Sequence, residues 1–290
     1  MKQPVYICYN GEFFNEEEAV VKLSNRSFRY GDGLFESIRC FGTYPYHFED
    51  HYHRLQRGMK LLQLESGEKL LPDRLKYYIE RLLIKNKFFK AARLRLCVFR
   101  NDGGLYTPES SLASFAMECS QMDNEIYTLN SRGLMLGDYM EILKPVNQLS
   151  SIKSTSSLLF VLAAQYKKNR SFDDCIIYNE HKRIAETVSS NIFVVKGNNI
   201  FTPSLSEGCL DGVMRKIIIK LGKEIGFNVD DNARINSEFL LQADEVFITN
   251  AIQGIQWIIG YGEKRYYHKV SETLTDKLNE FSSFQDSQEN

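Results

Sequence analysis

The stretch from Arg183 to Arg215, RIAETVSSNIFVVKGNNIFTPSLSEGCLDGVMR, limits what this chain can fold into more than any other. Ile192 to Lys196 (IFVVK) is a β-branched, apolar strand, and Gly197-Asn198-Asn199 supplies residues that tolerate a tight turn. Ile200 to Thr202 returns as a second arm, and Pro203, with no N–H to give a ladder, ends it. A Ser/Glu/Gly loop leads to Asp211-Gly212 and then to VMRKIIIKLGKEIGF, whose apolar positions recur at helical spacing. One acid, Glu186, stands just before the first strand in apolar company. A buried carboxylate and a glycine-softened helix start suit an aromatic, phosphate-bearing ligand: the acid meets a ring nitrogen, and backbone N–H groups meet the anion. An ordinary hairpin followed by a capped helix accounts for the same residues equally well.

The rest of the chain narrows the class. At 290 residues it can bury a substantial core, in one large domain or two modest ones. A net charge of −1 gives no electrostatic case for nucleic acid or a membrane surface. No apolar run approaches the roughly 20 residues that cross a bilayer, and the start, MKQPVYICYNGEFF, lacks the apolar centre of a signal peptide. Cys8, Cys40, Cys97, Cys119, Cys175 and Cys209 are scattered with no CxxC pair, mostly inside apolar strands or helices. That pattern predicts reduced core thiols in a cytoplasmic protein. The last ten residues, FSSFQDSQEN, read as a polar tail.

Along the chain, Val5 to Phe14 (VYICYNGEFF) predicts a hairpin around an Asn-Gly turn. Ser24 to Arg39 (SNRSFRYGDGLFESIR) carries two glycines flanking Asp32, which alone signal only a tight turn. Glu49 to Leu64 predicts an amphipathic helix with Tyr52, Leu55, Met59 and Leu62 on one face, and Arg54 and Arg57 on the same helix. His51 and His53, two residues apart, diverge by about 200° on a helix and cannot share a metal ion there. A second helix over Pro72 to Asn86 leads to a strand from Ala91 to Arg100, where Arg93 and Arg95 face away from Leu94, Leu96 and Val98. Arginines on this strand suit anionic ligands or a solvated sheet face. Another strand runs from Ala113 to Cys119.

Ser120 to Arg132 is polar and aperiodic and is the expected linker between a first domain, 1–119, and a second, 133–290. After a strand near Leu134 to Gly137, Lys153 is the one cation in the run SSIKSTSS that precedes the apolar helix LLFVLAAQYKKN. Near a helix start and other positive groups its ammonium would be disfavoured, which makes an amine nucleophile, although an exposed lysine in a capping loop also fits. Phe227 to Asp231 predicts a strand and Ser237 to Leu241 a short helix. Ala243 to Asn250 predicts a strand ending in Thr249-Asn250, whose N–H groups suit an anion or an ordinary turn.

In this order, the segments resemble those of the fold type IV pyridoxal-phosphate enzymes, the class IV aminotransferases, from Pro4 to Gly262. RYGDGLFESIR is similar to the family's early glycine segment, and FEDHYHRL to the helix whose arginine grips the cofactor phosphate, here Arg54. IKSTSS lies where the Schiff-base lysine falls, and RIAETVSSNIFVVKG resembles the motif whose glutamate pairs with the pyridine nitrogen. Those residues are Lys153 and Glu186. LDGVMR and ADEVFITNA resemble the segments that complete the phosphate site, through Gly212, Val213, Met214, Asn250 and Ala251.

The resemblance implies an α/β (α+β) chain in two domains, pyridoxal 5′-phosphate held between them, and a homodimer acting on small amino and oxo acids. Lys153 falls in the second domain on that division. Tyr30, Arg39 and Arg95 align with positions on the substrate side, where an α-carboxylate needs a counter-charge. Two reactions share the apparatus: transamination between an amino acid, of branched-chain type among others, and a 2-oxo acid, and pyruvate elimination by aminodeoxychorismate lyases. Met214 and Asn250 resemble the lyases; FESIR with Arg39, and Arg95, resemble the branched-chain transaminases. Transamination, the commoner activity in the family, is the expectation. A binding protein that kept the fold and lost the chemistry is the alternative of another class.

Overall fold

The computed structural model describes residues 5–18 and 20–288, so Pro4 and the last two residues of the polar tail lie outside it. The chain divides into two compact units, Met1–Glu125 with Ile152–Ser156, and Ile126–Ser151 with Ser157–Asn290.

The first unit is built on a six-stranded sheet ordered β2-β1-β6-β5-β3-β4. Its strands are β1 (Tyr6–Tyr9), β2 (Glu12–Asn15), β3 (Gly33–Phe41), β4 (Tyr44–Pro45), β5 (Ala92–Arg100) and β6 (Ala113–Gln121). All of its pairs are antiparallel. The Asn-Gly turn between β1 and β2 works because both residues take the left-handed backbone that it needs, Asn10 at φ 50° and Gly11 at φ 87°. Between β2 and β3 lies α1 (Arg26–Tyr30), capped by the Asn25 side chain and ended by Gly31 at φ 67°. α2 (Phe48–Leu61) and α3 (Pro72–Lys85) bury Leu55, Met59, Leu75, Ile79, Leu82 and Leu83 with Leu34, Ile38, Leu94, Leu96 and Val98 of the sheet.

The second unit holds a nine-stranded mixed sheet in the order β12-β11-β10-β13-β14-β7-β8-β9, with β15 (Lys264–Arg265) on β14. Its strands are β7 (Leu134–Lys144), β8 (Asp174–Asn179), β9 (Ile184–Thr187), β10 (Asn191–Lys196), β11 (Asn199–Pro203), β12 (Asn228–Ala233), β13 (Glu245–Asn250) and β14 (Gly254–Tyr261). Its helices are α4 (Leu158–Asn169), α5 (Val213–Glu224), α6 (Ser237–Leu241) and α7 (Lys269–Gln288). The β10–β11 hairpin turns through Gly197 at φ 57°. Ile192 and Val194 of β10 meet Val246 and Ile248 of β13 in the core.

Three features differ from the sequence reading. β7 runs on to Lys144, which after a register shift still pairs with Asn179 of β8. Residues 281–288 continue α7 rather than forming a tail: Leu274 and Leu278 anchor the helix in the core. The segment carrying Lys153 groups with the first unit because backbone hydrogen bonds tie it to β3, from Phe35 N to Lys153 O at 2.8 Å and from Thr155 N to Gly33 O at 2.9 Å. Among the described residues no helix is long and apolar enough to cross a membrane.

Candidate active site

In the first unit the predicted residues gather around β3 and α2. Glu36 of β3 faces His51 and Arg54, which share one side of α2 because they are three residues apart. Arg54 Nε donates to Glu36 Oε1 at 2.9 Å and Nη2 donates to Oε2, while His51 Nδ1 lies 2.7 Å from Oε2. All three side chains are at most 5% exposed. Burial alone would raise the Glu36 carboxyl; the Arg54 cation and the hydrogen bonds from His51 and Arg54 reverse this and hold it at about 2. His51 is lowered, first by burial and further by the Arg54 and Lys153 cations, with Glu36 opposing in part. Its Nδ1 therefore carries the proton toward Glu36. Its buried Nε2 has no hydrogen-bond partner among the described residues.

Lys153 is held by its backbone against the start of β3, and its Nζ lies 4.5 Å from the centre of the Phe35 ring. The Arg95 guanidinium sits over the same ring at 3.9 Å and 3.7 Å from Glu118. Lys153 and Arg95 thus meet at the ring of Phe35, next in β3 to the Glu36 that holds Arg54. Tyr30 packs against Tyr106, ring centres 5.5 Å apart, with the Arg26 guanidinium 5.0 Å from its own. Arg39 is 2% exposed, and its Nη2 donates to the Asn124 carbonyl. Arg100, from the same strand as Arg95 but on its other face, pairs with Asp32 at 2.9 Å and is structural.

In the second unit Glu186 lies within β9 and is 4% exposed. Its Oε1 accepts from Lys144 Nζ and its Oε2 from Leu210 N at 3.1 Å. The Leu210 carbonyl accepts from Asn191 Nδ2 at 2.9 Å, so the peptide before Asp211-Gly212 is held at both ends. Gly212 then begins α5 with no side-chain cap and no acid in the first turn, and Val213 and Met214 are each 1% exposed. The first N–H groups of α5, at its positive end, are those a bound anion would meet. Asn250 closes its own turn: its Oδ1 accepts from Ile252 N and Gln253 N, and its Nδ2 donates to Ser190 Oγ at 3.0 Å. Ala251 O accepts from Tyr127 at 3.2 Å.

Sequence reasoning missed Glu36, His51, Phe35 and Lys144 as members of these clusters. Glu36 was available as the acid within FESIR, at the helix-facing positions of β3. Lys144 gave no signal, since a single lysine at a strand end usually points into solvent. Among the described residues no group of three or more His, Cys, Asp or Glu is arranged to hold a metal ion.

A model of the amino-transferase class IV family matches residues 33–259. An aminodeoxychorismate lyase of Bacillus subtilis is 31% identical over 253 residues, covering 85% of this chain and 83% of its own. A putative branched-chain-amino-acid aminotransferase of Methanocaldococcus jannaschii is 27% identical over 278 residues, 94% of each chain. Among solved structures, the branched-chain aminotransferase of Thermoproteus uzoniensis with norvaline superposes with a TM-score of 0.85 at 23% identity, covering 95% of this chain and 93% of its own, which establishes the fold.

Proposed function

This chain belongs to the class IV aminotransferase family, enzymes that use pyridoxal 5′-phosphate, and from that membership we propose that it moves an amino group between an amino acid and a 2-oxo acid. The residues fit the cofactor. An amine (Lys153) and a guanidinium (Arg54) occur in one unit with a buried, unpartnered ring nitrogen on His51, and an uncapped helix start stands beside a buried carboxylate in the other.

When bound, the cofactor supplies an electron sink for the carbanion formed at the substrate Cα. Lys153 would hold it covalently through its amine, and the same amine, when free, would serve as the base that takes the substrate Cα proton and the acid that returns it. Glu186 keeps a proton on the ring nitrogen. Arg54 and the N–H groups of Val213 and Met214 hold the phosphate, with Gly212 and the Asn250-Ala251 segment shaping the same site. Tyr30, Arg39 and Arg95 are assigned to the substrate side. Of these Arg95 has the strongest case for the α-carboxylate, because it shares the Phe35 ring with Lys153.

The observation that carries the reading is that Lys153 is held by its backbone against β3, the strand whose Glu36 fixes the Arg54 guanidinium. A second reading, elimination of pyruvate from aminodeoxychorismate, is favoured by the 31% identical Bacillus subtilis relative and by Met214 and Asn250. Two assays run side by side decide between them. For a transaminase, a branched-chain amino acid alone converts the bound cofactor to its amine form and a 2-oxo acid reverses it. For a lyase, aminodeoxychorismate releases pyruvate with no acceptor present, and amino donors leave the cofactor unchanged. The same reading places the enzyme in the cytoplasm as a homodimer, supported by six unlinked cysteines and by exposed Leu158 and Val161 on α4.

A further inference from the structure

We infer that Lys144 is a positioning residue of this site, which holds Glu186 as an oriented carboxylate and thereby keeps the shared proton on the cofactor's ring nitrogen. The inference rests on the proposed role of Glu186 and assigns a task to a residue that neither sequence motif nor family resemblance singled out. Lys144 ends β7 and is 6% exposed; Glu186 on β9 is 4% exposed. A carboxylate that deep would take up a proton unless a cation opposed it. Lys144 supplies the cation, and donates its second hydrogen bond to the Ser150 carbonyl at 3.1 Å, which fixes where the ammonium points.

Two of the acid's contacts are accounted for, one on each oxygen. A carboxylate has about four lone-pair positions. Lys144 takes one on Oε1 and Leu210 N one on Oε2, so the remaining positions can meet a ring N–H. The charges decide where that proton sits. The Lys144 ammonium beside Oε1 opposes transfer of the ring proton onto Glu186. Without Lys144 the acid competes for it, and the ring loses the positive charge that draws electrons from the substrate Cα. Cys209, whose thiol burial pushes up to about 12, lies near enough to feel both Glu186 and Lys144, as well as Arg215 and Asp211. The neutral Cys209 thiol cannot replace the ammonium.

The test uses the holoenzyme loaded with pyridoxal 5′-phosphate labelled with nitrogen-15 in the ring. Loss of the contact cation in Lys144→Met should shift the proton partition between Glu186 and the ring by at least about 10-fold. The wild-type ring nitrogen resonates as protonated; in Lys144→Met it moves toward the unprotonated position, and Lys144→Arg restores it. The half-reaction with an amino donor slows in step, while the donor's dissociation constant stays within about twofold, because the interaction lost is one made in the transition state. In a Glu186→Gln background, Lys144→Met changes neither reading.

An unmoved nitrogen-15 signal in Lys144→Met, or equal losses in the Glu186→Gln background, overturns the inference. If Lys144→Met alone does not fold, the double variant Lys144→Met/Glu186→Gln, which buries no charge, should fold; its failure also counts against the pair. A wild-type protein that shows no signal from bound cofactor fails at the earlier step, the cofactor reading itself.

Discussion

The Glu36 carboxylate and the Arg54 guanidinium meet edge to edge, Nε to Oε1 at 2.9 Å and Nη2 to Oε2, with both side chains at most 5% exposed. The pair joins β3 to α2 and fixes the plane of the guanidinium assigned to the cofactor phosphate. Arg54→Lys keeps the charge and loses the planar fork. A charge-assisted hydrogen bond is worth about 1.5–3 kcal/mol, so the affinity for pyridoxal 5′-phosphate should fall by roughly 10- to 150-fold. Pyridoxal, which has no phosphate, should bind the variant and the wild type alike. Equal losses for both ligands would remove Arg54 from the phosphate site.

Removing Glu36 leaves a buried cation without its counter-charge. Glu36→Ala should therefore cost about 3–5 kcal/mol of unfolding free energy in urea titrations. Glu36→Gln, which still accepts one hydrogen bond, should cost less. A loss under about 1 kcal/mol for Glu36→Ala would mean the pair is screened like a surface pair.

The same cluster sets a pH dependence. Glu36 is held at about 2, below its ordinary 4.5, so the stability it contributes is complete above 4.5 and is lost as pH falls toward 2. His51 is lowered from 6.5, first by burial, so the unfolded chain binds its proton before the folded one does. Stability then falls as pH drops below 6.5. Both groups act in one direction, and between pH 7 and pH 5 the decline in unfolding free energy should come from His51 rather than Glu36. His51→Asn, which keeps a donor near the Nδ1 position and does not titrate, should flatten that interval. Asp174 works oppositely: burial raises it, so it favours the folded state at low pH and limits the net loss.

Lys153→Ala should abolish both the chromophore linked to the protein and its trapping by borohydride, and lower turnover by at least about 100-fold for loss of the general base. Retained cofactor binding without the covalent link is the expected companion, because Arg54 and the start of α5 are untouched. An unchanged linkage in Lys153→Ala would place the Schiff base elsewhere.

How far the fold was legible depended on local signals. The β1–β2 and β10–β11 turns and the helices α2 and α5 declare themselves through Asn-Gly or Gly-Asn and through helical spacing of apolar residues. β8 and β9 did not: DCIIYN and IAET are short and wholly buried, with no alternation to separate strand from turn. In the site, Lys153, Arg54 and Glu186 were found from their motifs, whereas their partners were not. Glu36 and Arg54 are 18 residues apart, Lys144 and Glu186 are 42 apart, and no period in the sequence links them. Pairings of that kind are decided by which strand faces which helix.

Gly212 tests whether the start of α5 is shaped by its neighbours. Its φ of −69° and ψ of 136° suit any residue, so backbone strain is not the constraint. Space is: a Cβ there would stand 2.0 Å from Asn191 Oδ1. Asn191 cannot move cheaply, because its Nδ2 holds the Leu210 carbonyl, and the Leu210 N–H in turn donates to Glu186. Gly212→Ala should cost about 1–3 kcal/mol through overpacking, and should weaken cofactor binding by displacing the Leu210 peptide. Asn191→Ala opens the space a Cβ needs. The double variant Gly212→Ala/Asn191→Ala should therefore be more stable than the sum of the single losses by at least about 0.5 kcal/mol. Strict additivity in that cycle would show that the clash with Asn191 is not what keeps glycine at position 212.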